Sequence, residues 1–316
     1  MEINFKEDKI VWDKFVETSP HRSIFITTAF LDSLGAKYDL VTCREGQEIL
    51  AGAVIIFDKN GEPMMSAHKF TQYQGLILAD NSKMPAHSKT AHEFATMEFF
   101  INELVLRYKK FYLCQHWRFN DMRPFLWYNY HEPKMGQFKI QLRYTPIIDK
   151  KSYNVLDSFL SGIRRNRKRE YLKAKEFLTI SSIADESIMD RLHDDVFKRQ
   201  GIERADNDSV LVKSITKKAL ADNFGSLKSA LKDGESIASL LTLQDNRSSF
   251  FLFGATDSKY RDLGGYTYLS VEMIKDAFES GCQEVDIVGA NSPNRSDYKI
   301  SFNAELKPYF EIYFGN

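Results

Sequence analysis

The stretch Ser249-Phe-Phe-Leu-Phe-Gly254-Ala255 decides the predicted fold of the C-terminal part of the chain. Its apolar run, ending at a glycine, predicts a buried β-strand. A polar stretch with paired glycines at residues 257–265 follows, and apolar residues at helical spacing then predict a helix over residues 266–280. Residues 284–289 predict a second strand. A strand, a glycine-containing turn and a helix can bind a phosphate, because the helix dipole and the free backbone N–H groups favour an anion.

The same order of predicted elements occurs in both halves of the chain. Three predicted strands within residues 227–254 precede the helix at 266–280 and the strand at 284–288. In the first half, strands within residues 38–78 precede a helix at 89–108 and a strand at 111–115. No residue-level identity links the halves, so the repeat is one of pattern. We therefore predict an α/β protein with mixed sheets, made of two copies of one unit at residues 1–150 and 151–316.

Length and charge limit the classes of function. The 316 residues suffice for two ordinary domains, and 43% hydrophobic with 27% charged residues is typical of a soluble globular protein. The 43 Lys and Arg residues balance the 43 Asp and Glu residues, so no overall field recruits nucleic acid or anionic lipid. We therefore expect no DNA partner, and any contact with RNA must be local.

Cysteine usage and the N-terminus predict a cytoplasmic protein. Cys43, Cys114 and Cys282 lie far apart and form no CxxC pair, which favours a reducing compartment. The acidic N-terminus lacks the apolar segment of a signal peptide. No apolar run approaches the roughly 20 residues that span a bilayer. No HExxH motif and no zinc-ligand spacing occurs, so no metal cofactor is predicted.

Several segments together resemble a known family. They are Ser23-Ile-Phe-Ile-Thr-Thr-Ala-Phe-Leu-Asp-Ser-Leu34, Tyr73-Gln-Gly-Leu-Ile-Leu78, Ile163-Arg-Arg-Asn-Arg-Lys-Arg-Glu-Tyr-Leu-Lys-Ala174, Phe253-Gly-Ala255 and Tyr298-Lys-Ile-Ser-Phe302. In order and spacing they resemble the Fem-type peptidyltransferases and the BioF2-like acetyltransferases. The resemblance implies two tandem GNAT (N-acyltransferase) folds. The long helical hairpin that Fem enzymes often carry is missing, since the predicted helices between residues 186 and 223 are short and interrupted.

The resemblance implies an acyl-donor site in the second domain. GNAT proteins hold the CoA pyrophosphate with a turn of the form [QR]-x-x-G-x-[GA]. Here Arg261-x-x-Gly264-Gly265-Tyr266 keeps the arginine and the first glycine but not the final small residue. Together with Phe253, Gly254 and Ala255 on the preceding strand, these residues form the predicted site for acetyl-CoA or another acyl-CoA. The alternative is a flexible loop with ordinary surface charges.

Three residues are candidates for the acyl-transfer chemistry. Asn291 and Tyr298 reproduce the seven-residue spacing at which many GNAT enzymes place a tyrosine that protonates the leaving thiolate. The alternative for Tyr298 is a packing role. Asp286 lies on an otherwise apolar strand, where a charge is costly unless it is paired. Its partner would be Lys299, Arg295 or a substrate amine.

Polar and aromatic residues elsewhere are candidates for substrate binding. They come at the ends of first-domain strands or after the predicted helix of residues 186–200, and they are Tyr73, Gln74, His116, Trp117, Arg199 and Gln200. Ordinary structural roles are the alternative for each. The run Arg164-Arg-Asn-Arg-Lys-Arg169 has the strongest local charge and is a candidate contact for tRNA phosphates. The alternatives are one solvated helix face or contacts for a nucleotide phosphate.

We therefore expect an N-acyltransferase that moves an acyl group from acyl-CoA to the amine of a small molecule, such as an amino sugar, an amino acid or a peptide. One alternative is an aminoacyl-tRNA-dependent peptidyltransferase acting on a peptidoglycan precursor, with tRNA as the less favoured partner. Another is a catalytically silent protein that keeps the fold and binds a ligand. The sequence leaves the acyl group, the acceptor and the oligomeric state open.

Overall fold

A computed structural model describes residues 1–182, 185–199, 203 and 205–315. The chain divides into two units, Met1–Arg143 with Pro308–Asn316, and Tyr144–Lys307. The α-helices are α1 Lys9–Thr18, α2 Thr28–Ser33, α3 Ala86–Tyr108, α4 Arg123–Leu126, α5 Leu156–Gly162, α6 Arg165–Phe177, α7 Glu186–Arg199, α8 Asp206–Ala221, α9 Gly265–Glu279 and α10 Pro293–Ile300. The β-strands are β1 Glu2–Asn4, β2 Tyr38–Glu45, β3 Glu48–Ile56, β4 Leu76–Leu78, β5 Phe111–Cys114, β6 Lys139–Asp149, β7 Thr179–Ser181, β8 Gly225–Lys232, β9 Glu235–Gln244, β10 Ser248–Thr256, β11 Glu284–Asp286 and β12 Glu305–Phe314.

In the first unit, an antiparallel sheet in the order β1-β2-β3-β4 packs against the long helix α3. The buried face of α3 follows helical spacing through Met97, Phe100, Ile101 and Leu104, which join one hydrophobic core with the sheet. Strands β5 and β12 are also antiparallel neighbours, with Glu311 opposite Cys114. Because of this pairing, residues 308–316 belong to the first unit. The predicted division after residue 150 assigns them to the second.

In the second unit, the strands lie in the order β6-β11-β10-β9-β8-β7. All neighbours are antiparallel except β10 and β11, which are parallel and are connected along the chain through α9. Helix α9 covers the sheet with apolar side chains that include Leu269, Met273 and Ile274. Gly265 begins this helix, and a Cβ there would lie 3.3 Å from the Ala238 Cβ, so glycine allows a close approach to β9.

Some predicted elements differ from the structure. Within the span 38–78, residues 64–68 and 72–78 each have the pattern of a strand. In the structure, residues 64–68 form no strand and bend at residues 65 and 66, and the last strand is only Leu76–Leu78. Tyr73 adopts φ +51°, which is incompatible with a strand. The sequence of residues 153–177 predicts one long helical stretch, whereas the structure has the two helices α5 and α6, because Ile163 between them has extended backbone angles.

Candidate active site

Strand β10 opens a gap in the sheet of the second unit. Its pairing with β11 covers only residues 248–250, opposite residues 284–286. A bulge between Phe251 and Phe253 then interrupts its register with β9. Beyond Phe250, β10 has a paired strand on one side only among the described residues. Backbone N–H and C=O groups of Gly254 and Ala255 that point to its other side are therefore available to a ligand, as at the edge of a sheet.

A cleft of about 490 Å³ lies at this opening. Its lining comes from α6, α7, β10, the turn before α9, the first turn of α9, and α10. The lining residues are Arg167, Glu170, Val196, Gly254, Ala255, Thr256, Arg261, Asp262, Gly264, Tyr266, Thr267 and Tyr298.

The turn before α9 has the geometry of an anion site. Gly264 caps the helix with φ +71°, a conformation that favours glycine, and its added Cβ would lie 3.3 Å from the Glu170 carbonyl oxygen. The N–H groups in the first turn of a helix have no acceptor within the helix. Exposed Arg261 adds a positive charge on the same cleft wall. These groups together can hold a phosphate-bearing ligand.

Tyr266 narrows the cleft beside β10. Its ring and hydroxyl lie directly over Gly254, where an added Cβ would be only 2.3 Å from the Tyr266 Cε2 atom. Only glycine at position 254 allows this contact without displacing the ring. Burial raises the pKa of Tyr266. The neighbouring Tyr298 ring lies 5.7 Å from it, and the two rings form one aromatic wall.

A cluster of hydrogen-bonding groups lies against this wall. The Tyr298 hydroxyl is 3.1 Å from Thr267 Oγ1, which donates to Glu170 Oε2 at 2.9 Å. Arg167 donates to Thr267 Oγ1 at 3.2 Å and also to Glu170 Oε2. Its guanidinium lies 4.8 Å from the centre of the Tyr298 ring. Burial raises the pKa of Tyr298 to about 12, against the opposing effect of the Thr267 hydrogen bond.

The residues predicted to bind the acyl donor fall into two groups in the structure. Gly254, Ala255, Arg261 and Gly264 line the cleft. Phe253 is instead buried, with its ring 5.6 Å from the His193 ring. Gly265 is also buried, at the contact between α9 and the sheet.

The predicted catalytic residues also separate. Tyr298 lines the cleft, whereas Asp286 is fully buried and accepts hydrogen bonds from the Thr145 hydroxyl at 2.5 Å and the Val288 N–H at 2.7 Å. Asn291 accepts from the backbone N–H of Tyr144 at 2.8 Å. The Lys299 ammonium donates to the Val288 and Gly289 carbonyl oxygens. These contacts fix the turn after β11.

Four of the predicted substrate-binding residues cluster in the first unit. The rings of Tyr73 and His116 are 4.7 Å apart, and those of His116 and Trp117 are 5.6 Å apart. Gln74 is buried, and its Oε1 atom has no hydrogen-bond partner in the described part of the chain. Buried polar atoms without a protein partner commonly bind water or a ligand. That these residues bind a substrate stays a prediction.

The same region holds further buried polar atoms. Thr71 Oγ1, Gln72 Nε2 and Gln115 Nε2 also lack a partner among the residues described. Glycine at position 75 allows this segment to pack closely against the end of β5, because an added Cβ would lie 2.6 Å from the Cys114 carbonyl oxygen.

The remaining predicted substrate residues lie at the end of α7. Gln200 lies outside the described residues, and so does the side chain of Arg199. Their predicted role therefore stays a prediction.

Glu170 and Thr267 were not identified as site residues from the sequence. Arg167 was a candidate only as part of the cationic run, for which a solvated helix face was one alternative. In α6, Arg167 lies on the same side of the helix as Tyr171 and Ala174, because the three residues follow i, i+4, i+7 spacing. Tyr171 and Ala174 are buried, so Arg167 does not lie on the solvated face. Arg165 and Arg169 are exposed on the other side. Thr267 gave no signal beyond its place after the glycine turn.

Two general observations concern the whole molecule. None of the helices in the described ranges is both long and apolar enough to cross a membrane. Within the same ranges, no group of three or more His, Cys, Asp or Glu side chains is placed to hold a metal ion.

The second unit resembles a GNAT acetyltransferase domain. Residues 158–299, just under half of the chain, match the family model described as an acetyltransferase (GNAT) domain. The match includes every residue that lines the cleft. The predicted resemblance to tandem GNAT acyltransferases is confirmed. No curated protein is significantly similar to the chain in sequence.

Solved structures share the fold along the whole chain. The crystal structure of FemX matches with a TM-score of 0.72 at 13% identity, covering 98% of this chain and 97% of FemX. A tandem GNAT protein from the clavulanic acid biosynthesis pathway, determined without AcCoA, matches with a TM-score of 0.54 at 8% identity, covering 99% and 98%. L-PGS from Bacillus licheniformis matches with a TM-score of 0.53 at 11% identity, covering 100% and 95%. At such identities the similarity establishes the α/β tandem GNAT fold and leaves the substrates open.

Proposed function

We propose that the second unit transfers an acyl group from acyl-CoA to the amine of a small molecule, such as an amino sugar, an amino acid or a peptide. One observation carries this proposal. The open side of β10 and the turn of Arg261 and Gly264, which can bind an anion, line the same cleft. An acyl-CoA presents the matching features, because its pantetheine arm carries amide groups and its pyrophosphate is anionic. One solved structure with this fold, the tandem GNAT protein, is described by reference to AcCoA.

The cleft supports the chemistry of acyl transfer. The acceptor amine must lose a proton and the leaving thiolate must gain one. The Tyr298 hydroxyl is the group in the cleft suited to exchange protons with both, since it is held by hydrogen bonding beside the open strand. Backbone N–H groups of β10 beyond the bulge can polarise the acyl carbonyl.

A second candidate function is aminoacyl transfer from aminoacyl-tRNA. The exposed cations Arg165, Arg169 and Lys173 on α6 favour it, because such a row can bind nucleic-acid phosphates. A silent ligand-binding protein is the third, favoured by the Tyr266 ring over Gly254, which narrows the donor cleft. A cytoplasmic location remains part of the proposal in each case.

Isothermal titration with acetyl-CoA tests the proposal. We expect micromolar binding by the wild type and a 10- to 100-fold weaker affinity in Arg261→Ala, since a hydrogen bond to a charged group contributes about 1.5–3 kcal/mol. Arg169→Ala is the matched control, because it removes an exposed arginine from the same unit away from the cleft. It should bind acetyl-CoA normally. Absence of binding to any acyl-CoA would refute the proposed donor, and tRNA binding that is lost in Arg169→Ala would favour the second candidate.

A further inference from the structure

The hydrogen bonds around Thr267 determine where each proton lies. A threonine hydroxyl has one proton to donate and two lone pairs. Arg167 can only donate, so it occupies one lone pair of Thr267 Oγ1. The Glu170 carboxylate can only accept, so it takes the Thr267 proton at 2.9 Å. The remaining contact, 3.1 Å from the Tyr298 hydroxyl, must then be a hydrogen bond that Tyr298 donates.

A competing arrangement is disfavoured. Ser270, near Tyr298, gives its own proton to the Tyr266 carbonyl oxygen at 2.8 Å. If Tyr298 donated to Ser270, the oxygens of Tyr298 and Thr267 would lie 3.1 Å apart with no proton between them. Donation to Thr267 satisfies all of these groups. The lone pairs of the Tyr298 oxygen are thereby directed away from Thr267, and Tyr298 lines the cleft.

We propose that Tyr298, Thr267 and Glu170 form a proton relay that takes a proton from the acceptor amine and later returns it to the leaving thiolate. The inference rests on the proposed function and deepens it by assigning proton transfer to a carboxylate that nothing in the sequence had singled out. Tyr298 contacts the substrates, and Thr267 and Glu170 act through it.

The steps balance in atoms and charge. The amine nitrogen attacks the thioester carbon, and a C–N bond forms while the carbonyl oxygen becomes an oxyanion. The amine proton passes to Tyr298, the Tyr298 proton to Thr267, and the Thr267 proton to Glu170. When the oxyanion collapses, the C–S bond breaks and its electron pair stays on sulfur. The proton then returns along the same path to the thiolate, which gives the amide and the free thiol.

The relay removes the need for a tyrosinate. With a pKa raised to about 12, only about one Tyr298 in 10⁵ would be ionised at pH 7. In the relay, Tyr298 gains one proton as it gives up another, so it never has to lose its proton to water. Arg167 holds the path in place, because it donates to both Glu170 and Thr267 and lies over the Tyr298 ring.

The test uses Glu170→Gln, Thr267→Val and Thr267→Ser in the full chain. Glu272→Gln is the matched control, because Glu272 accepts a hydrogen bond from the Tyr171 hydroxyl at 2.7 Å on the same pair of helices and does not line the cleft. Each variant is titrated with acetyl-CoA, and acyl transfer to hydroxylamine is measured as acetohydroxamate. Circular dichroism confirms that each variant is folded.

We expect Glu170→Gln and Thr267→Val to lower kcat by 10²-fold or more, the usual contribution of acid–base catalysis. The KM and Kd for acetyl-CoA should change less than about threefold, because the relay does not bind the donor. Thr267→Ser should keep kcat within about tenfold of the wild type, and Glu272→Gln should match it. Wild-type kcat in Glu170→Gln or Thr267→Val would overturn the relay, and so would a wild type that binds acetyl-CoA without forming hydroxamate.

A second measurement tests the relay independently of the proposed acyl donor. If the wild type binds no acetyl-CoA, the proposed donor is wrong, and the relay is judged by NMR of protein labelled with ¹³Cζ-tyrosine. Tyr298→Phe assigns the Tyr298 resonance. A shift of this resonance in both Glu170→Gln and Thr267→Val, but not in Glu272→Gln, supports the hydrogen-bond chain. An unshifted resonance overturns it whatever the donor is.

Discussion

His21 makes the stability of the first unit sensitive to mild acid. Its Nδ1 atom accepts a hydrogen bond from the Leu78 N–H at 3.3 Å, and its ring lies 5.0 Å from the Phe119 ring. Burial lowers the pKa of His21 to about 3, and the positive charges of Lys89 and Arg118 act in the same direction. The folded unit therefore keeps this imidazole neutral at pH values where an unfolded chain would protonate it.

The loss of unfolding free energy in acid follows from the linkage between proton binding to His21 and folding. An unfolded histidine has a pKa near 6.5, so below that pH the unfolded state binds a proton that the folded state does not. This contribution to stability is fully present above pH 6.5 and is lost as the pH falls toward 3. The slope is about 1.4 kcal/mol per pH unit, which gives a loss of about 2 kcal/mol between pH 7.5 and pH 5.

Urea unfolding followed by tryptophan fluorescence measures this loss. The three tryptophans, Trp12, Trp117 and Trp127, all belong to the first unit, so fluorescence reports on that unit. In His21→Asn, the side-chain oxygen replaces Nδ1 as the acceptor but does not titrate. We expect the wild type to lose about 2 kcal/mol more than His21→Asn between pH 7.5 and pH 5, or about 1 M in urea midpoint.

Equal losses in the two proteins would refute the reasoning, because every other titrating group is common to both. A larger loss in the variant would refute it as well, because the substituted asparagine has no group that titrates between pH 7.5 and pH 5.

Two further predictions concern the second unit, and urea unfolding followed by circular dichroism measures both. Gly254→Ala should cost about 1–3 kcal/mol, because the new Cβ overlaps the Tyr266 ring. Adding Tyr266→Ala should then cause little further loss, whereas full additivity of the two losses would contradict the overlap. Asp286→Asn should cost about 1–3 kcal/mol, because the buried carboxylate accepts from Thr145 and Val288. Its kcat should stay within a few-fold of the wild type, and a stable but inactive variant would instead assign Asp286 to catalysis.

The part of the cleft formed by β10 and the turn before α9 could be predicted from the sequence because its signals are local. The apolar run ending at Gly254, the turn of Arg261 and Gly264, and the periodic helix after it are each contained in a short segment. Backbone conformation in such segments depends mainly on neighbouring residues, as the positive φ of Gly264 illustrates. The structure places four of the six predicted donor residues in the cleft.

The roles of buried charges could not be predicted in the same way. Asp286 was a catalytic candidate because an isolated carboxylate on an apolar strand requires a partner. One of its partners, Thr145, is 141 positions away in the chain, and no local pattern joins the two. Glu170 and Thr267 are 97 positions apart and likewise meet only in the folded unit.

The sequence by itself determined strands β8 to β11 and helix α9 of the second unit, the glycine turn before α9, and the tandem arrangement of two α/β units, because periodicity and turn chemistry act over a few residues. Only the tertiary structure decided that β10 separates from β11 after three pairs, that residues 308–316 join the first unit, and that one arginine of a cationic helix faces the cleft. These features depend on pairing and packing between segments far apart in the chain. Their free energies come from contacts that exist only once the core has formed.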